Sequence, residues 1–195
     1  KDLLKSISPT SELIDFSLEA SKAHLYNNNI SESKKWFKLI EVGTSTNNNN
    51  INNDYLQIVF LMNLKEGKYD MEENIFENFF ENLQINQEEI NNLELYLTTL
   101  EYIGFNVPQD LWEITATKVK DNRTVPSIYI IKLLKESSSK NLLPELYLNI
   151  AISMEDNNWS QIHPQHVGLI FESLNTTNDD SVLSELAVEI IKSLN

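Results

Sequence analysis

The sequence predicts an all-α protein, about ten antiparallel helices in consecutive hairpins that stack as an α-solenoid or solenoid-like bundle. Three observations predict it. Apolar residues recur at i, i+3, i+4 and i+7, most clearly Val167, Ile170, Phe171 and Leu174, then Leu183, Leu186, Ala187, Ile190 and Leu194. Each stripe is one face of an amphipathic helix that needs an apolar partner. All five prolines (Pro9, Pro108, Pro126, Pro144 and Pro164) fall where a helix would begin, the one turn that tolerates a missing N–H. Strand periodicity is lacking, since Tyr129 to Ile131 is a short patch inside a helical stripe.

The elements follow in order. A first helix over 10–26 starts after Pro9, and a second over 30–42 opens with the capping pair Asn29 and Glu32. The third, 53–65, precedes Gly67; the fourth, 70–83, opens with Asp70 and Glu73; the fifth, 87–103, follows Asn86 with Glu89 three residues on. Gly43, Gly67 and Gly104 stand where C-terminal caps are expected. Helices over 108–119, 126–136, 141–154 and 164–174 start at or near the remaining prolines, and 178–194 carries the last stripe. Paired, they make hairpins beginning near 10, 53, 87, 126 and 164, steps of about 34 to 43 residues that suit helical repeats. The polar segment from Thr44 to Asn53, with Asn47 to Asn50 in a row, is a loop without apolar period. The first hairpin cannot bury its own face, so residues 1–195 are taken as one helical-repeat domain.

The chain carries a net charge of −14, with Arg123 its single arginine. Nucleic-acid binding needs clustered Lys and Arg, so this balance disfavours it, and an anionic membrane surface with it. The acid is uneven: ten Asp or Glu lie from Glu66 to Glu101, whereas six basic residues lie from Lys118 to Lys140. Zero cysteines remove disulfides, thiolate metal sites and cysteine nucleophiles, and leave bacterial cytoplasm and periplasm equally open. No apolar run reaches the roughly 20 residues of a membrane span. A chain starting at Lys1 without a signal pattern reads as an internal or mature fragment. Of the 25 asparagines, four (Asn29, Asn122, Asn158 and Asn175) stand in Asn-x-Ser/Thr sequences, a number that chance supplies.

Catalytic equipment is sparse. No Gly-rich phosphate loop, nucleophile elbow or HExxH motif occurs. Glu77 and Glu81 lie one turn apart and are the best carboxylate pair for acid–base work. Against Phe76, Phe79, Phe80 and Leu83, however, they make the polar face of an amphipathic helix. His163 and His166 would need a third metal ligand; His163 is expected to cap the helix that Pro164 begins, and His166 to lie at the surface. Gly168 inside a strong helix marks a close crossing. The chain is therefore expected to be no enzyme and to need no cofactor.

The best candidate surface lies on first helices of hairpins. In 87–103 a core stripe of Ile90, Leu93, Leu97 and Leu100 leaves Asn92, Leu95, Thr99 and Tyr102 on another face; Gln57, Phe60 and Asn63 make a similar row. Tyr129 and Lys132 extend it. A solenoid would present these on a concave wall, where amides bond an extended peptide and aromatics pack its side chains. The partner expected is a protein or peptide segment, neutral or basic. The alternatives are a helical enzyme with a carboxylate site at Glu77 and Glu81, or a structural spacer within a longer chain with these faces buried.

Ala20 to Tyr26, the turn Asn27 to Asn29, and Ser33 to Phe37 place small residues where two helices would cross. With Phe37 on the large position of the second helix, Ser21 and Ser33 take the two small ones, so the stretch resembles a degenerate tetratricopeptide repeat. The proline that family carries after its second helix is missing here, and the later hairpins keep only the rhythm. The resemblance implies peptide or protein binding on the concave face of first helices. More faintly, His163 to Leu169 with Asp180 and Leu183 to Glu189 is similar to the C-terminal end of uncharacterised all-helical alphaproteobacterial proteins, which brings no activity.

Overall fold

The computed structural model describes residues 7–44, 53–68, 87–116, 121–177 and 180–194. They fall into two compact units, the first comprising 7–44 and 53–68 and the second everything from 87 onward. Nine α-helices and two short 3-10 turns lie among the described residues, with no strand and one isolated bridge, Thr124 to Ile162. The helix expected over 70–83, with Glu77 and Glu81 on it, lies outside the described residues.

In the first unit a 3-10 turn, Ser11–Phe16, leads into α1, Ser17–Tyr26, followed by α2, Ile30–Thr44, and α3, Asn53–Lys65. The α1–α2 turn is tight because Asn28 takes a left-handed conformation, φ 57°, which asparagine tolerates better than most residues. Asn29 then caps α2, its Oδ1 accepting the Glu32 N–H at 3.4 Å. Ser21 and Ser33 meet where the helices cross. Their hydroxyls are 2.9 Å apart, and each also donates to the other's carbonyl, at 3.1 and 2.9 Å. Small side chains let the backbones approach, and the reciprocal bonds satisfy hydroxyls that would be costly to bury unpaired. Leu25, Trp36, Ile58, Phe60, Leu61 and Leu64 form the core, and Phe37 stacks on Tyr55 at 4.7 Å. Gly67 ends α3 in a left-handed conformation, φ 65°, whereas Gly43 lies inside α2 and caps nothing. Beyond α3, Glu66 is held by Lys34 and Lys68, whose ammonium groups lower its carboxyl pKa.

The second unit runs α4, Gln87–Tyr102; α5, Gln109–Thr115; α6, Ile128–Ser139; α7, Leu143–Met154; a 3-10 turn, Trp159–Gln161; α8, Pro164–Asn175; and α9, Asp180–Ser193. Its axis is α8, which packs on α4, α6, α7 and α9 and buries residues over most of its circumference, from His166 and Val167 through Ile170 and Phe171 to Ser173 and Leu174, leaving Gln165 and Glu172 on an exposed side. A solenoid repeat touches only its sequence neighbours. Here α4, from the third hairpin, packs against both helices of the fifth and skips the fourth. Local helix pairs therefore stand where the sequence puts them, but within this unit they close around α8 as a bundle. The reason lies in α4 itself, where every residue from Leu93 to Leu100 except Glu94 is buried. A helix apolar on two faces needs two layers of cover.

One polar network fastens the connector between α5 and α6. Arg123, its side chain 5% exposed, donates from Nε to both carboxylate oxygens of Asp121, at 3.0 Å each, and from Nη1 to the Asn91 carbonyl at 2.9 Å. Its Nη2 also reaches Glu94 on α4. The adjoining Thr124 donates its N–H to the Gln161 carbonyl at 2.8 Å and accepts the His163 N–H at 3.0 Å. The forked guanidinium suits this role because it carries several donors in one plane.

Candidate protein-interaction surface

The row on α4 is filled by the protein itself. Leu95 and Thr99 are fully buried, and Thr99 donates back to the Leu95 carbonyl at 2.7 Å. At one end of the same face Asn92 reaches the Leu194 carbonyl at 3.5 Å; at the other Tyr102 stacks on Phe171 with ring centroids 6.1 Å apart. The fifth hairpin occupies the place a bound peptide would take. Phe60 is likewise a core residue of the first unit, and Asn63 is half-buried. The α3 backbone includes Gln57, whose side chain lies outside the described residues. Phe60, Leu95 and Thr99 thus cannot line an open groove. The apolar period alone does not tell a partner-binding face from one that another helix covers.

Tyr102 keeps a partly exposed ring and donates its hydroxyl to Glu172 at 3.0 Å; desolvation, then that carboxylate, raises its pKa. Its ring lies on Gly168, where an added methyl would come within 2.6 Å of Tyr102 Cε2. The glycine that marks a close crossing in the sequence makes room for this ring. We expect Gly168→Ala to push Tyr102 out and lose its stacking. In a Tyr102→Ala background the same change should stabilise by up to about 1 kcal/mol, from helix propensity alone. Urea unfolding of the four variants in the cycle checks it, and the same sign in both backgrounds contradicts it.

The two histidines do not converge. His163 caps α8 as expected, its Nδ1 accepting the Gln165 N–H at 3.1 Å, while its Nε2 lies 3.5 Å from Asp121. His166 is not at the surface. It is 1% exposed, with Nε2 2.9 Å from Ser153 Oγ. Burial drives its pKa from 6.5 down to about 4. The serine hydroxyl donates to the Ile150 carbonyl at 2.7 Å, so it accepts from His166 Nε2–H. That leaves His166 Nδ1 with a buried lone pair and no hydrogen-bond partner. A serine is activated when histidine accepts its proton. Here the proton points the other way, which makes this pair a packing contact between α7 and α8. Among the described residues no group of three His, Asp or Glu could hold a metal ion.

What the structure adds is α7. Its amide and aliphatic hydroxyl side chains, Asn149 and Ser153, are one turn apart and point inward. Asn149 Nδ2 donates to the Leu133 carbonyl of α6 at 3.5 Å and to Ser137 Oγ at 3.3 Å, while Ser153 meets His166. Leu146 shares that inner side and is fully buried. The outer side is the apolar one: Leu148 is 59% and Ile152 47% exposed, with Tyr147 and Ala151 beside them. Residues at i and i+4 are neighbours on a helix, so these four make one continuous face. The ordinary amphipathic arrangement is inverted. At the same end of the α6–α7 hairpin as Ile152, α6 exposes Ile128 (75%) and Tyr129 (67%), and Lys132 stands a turn further on, also exposed. Tyr129 and Lys132 are thus the two sequence candidates that stand fully at the surface.

At the end of this face Glu155 has φ 51° and ψ −131°, a conformation in which a Cβ is strained and glycine is not. We expect Glu155→Gly to stabilise the protein by about 1 kcal/mol. A fall in thermal midpoint would contradict the geometry.

No helix among the described residues is long and apolar enough to cross a membrane. Compared with protein-family models, with curated proteins and with solved structures, the chain finds no match.

Proposed function

We propose that the chain is a non-enzymatic adaptor that binds a protein segment through the outward face of the α6–α7 hairpin. The observation that carries this reading is the arrangement of α7, which directs Asn149 and Ser153 inward and Tyr147, Leu148, Ala151 and Ile152 outward. Contiguous exposed apolar side chains on a folded domain mark interaction sites, and aromatic residues such as Tyr129 and Tyr147 give large contact area at small entropic loss. The surface takes over the role that the sequence assigned to a groove along first helices. The Ser21–Ser33 crossing supports a tetratricopeptide-like helix pair in the first unit, a fold element used for the same purpose. The inward-donating Ser153 hydroxyl favours binding over catalysis.

A photo-crosslinking residue placed at Leu148, with the exposed Glu113 of α5 as the control position, tests this reading. A protein captured at 148, not at 113, and lost when Ile152→Lys is added, supports it. Equal capture at both positions, or capture indifferent to Ile152→Lys, overturns it.

A further inference from the structure

We propose that the occupant of this surface is an amphipathic helix whose apolar stripe is bracketed by a basic residue at each end, lying along the outer side of α7. This deepens the adaptor reading and rests on it. The length comes from the face itself. Its apolar residues run between two exposed acids, Glu145 in the first turn and Glu155 just past the last, ten positions apart, or about 15 Å along the axis. That span matches the apolar stripe of a three-turn helix, and helix in groove or on ridge is a recurring mode of recognition.

The charge pattern sets the rest. α7 carries no Lys or Arg, and Asp156 adds a second exposed acid beside Glu155. At the other end Lys140 is bonded to Glu136 at 2.5 Å and feels Glu145 only as a more distant charge. Both ends of the stripe are therefore acidic, on a chain whose net charge of −14 draws cations from a distance and repels a second copy of itself. The sides differ from the ends. Lys132 and Lys135 stand exposed on the neighbouring α6, and no ion-pair partner for either is seen among the described residues. A uniformly basic segment would meet them unfavourably. A helix with its basic residues confined to the two ends, and neutral or acidic side chains toward α6, meets every charge with its opposite.

Three synthetic helical peptides of about 18 residues distinguish the outcomes: an apolar stripe with Lys at both ends, the same stripe with Glu at both ends, and the Lys peptide with its stripe scrambled. Binding to the full chain is read by fluorescence anisotropy. At low salt the Lys-ended peptide should bind about tenfold more tightly than the Glu-ended one, the gap narrowing at high salt. Glu145→Lys with Glu155→Lys should reverse the order, and Leu148→Lys should remove binding of both. Equal affinities, equal binding of the scrambled peptide, or binding that survives Leu148→Lys overturns the proposal. So does dimerisation in sedimentation that Leu148→Lys abolishes, which would assign the face to a second copy. If no peptide binds while the crosslinker at 148 still captures a protein, the helical occupant fails and the adaptor reading stands. If the crosslinker also captures nothing, both fail.

Discussion

Arg123→Ala is expected to remove about 3 kcal/mol of stability, the scale of breaking a buried ion pair from one side. The guanidinium satisfies Asp121, Glu94 and the Asn91 carbonyl together, and its side chain is almost wholly buried. Without it, two carboxylates face each other in a partly desolvated site and a carbonyl loses its donor. Arg123→Lys should recover only part of the loss, because an ammonium cannot reach three acceptors in one plane. Asp121→Asn should cost less, since Glu94 remains to balance the charge. Chemical denaturation of the three variants gives the order. A loss below about 1 kcal/mol for Arg123→Ala would show that the network is screened like an ordinary surface pair.

Acid should weaken the second unit through His166. Its folded pKa of about 4 lies below the unfolded value of 6.5, so the unfolded chain binds the proton first. The stability tied to the neutral ring is whole above pH 6.5 and is lost as pH falls toward 4. Linkage gives a loss of about 2 kcal/mol between pH 7.5 and 5, and about 3 kcal/mol by pH 4. The cause is burial: the protonated ring would carry its charge, and an Nδ1–H with no acceptor, into the α7–α8 contact. His166→Leu removes the titration, so the difference in unfolding free energy between wild type and variant should change with pH by these amounts. A difference that stays flat from pH 7.5 to 5 would mean that the ring is hydrated in the folded state.

The helices were legible because their signals are local. Pro144 and Pro164 lie in the first turns of α7 and α8, Asn29 and His163 cap the helices they precede, and Gly67 and Gly104 follow helix ends with positive φ. Such features depend on a few neighbouring residues. The pairing of distant helices does not. Nothing within 87–103 says that the face of Asn92, Leu95, Thr99 and Tyr102 meets the fifth hairpin, so a covered face reads as an open one. The burial of His166 is hidden for the same cause, since its contact with Ser153 comes from packing against the preceding helix. The outward face of α7 was hidden by the habit of turning polar residues to water. In 143–154 the buried side is the one with Asn149 and Ser153, and only the contacts with α6 and α8 reveal it. A helix with two polar residues one turn apart amid apolar ones is the signal that was there to be read.

A docking surface exists only if the inner side of α7, and not the outer, holds the protein together. Denaturant unfolding of the Leu148→Lys, Ile152→Lys double variant beside Leu146→Ala measures that directly. The double variant should keep its stability within about 0.5 kcal/mol of wild type, as surface changes do, while Leu146→Ala should lose 2 kcal/mol or more, roughly the cost of truncating a core leucine. A loss of several kcal/mol in the double variant would contradict the account, because the outer face would then be core and no docking surface would remain.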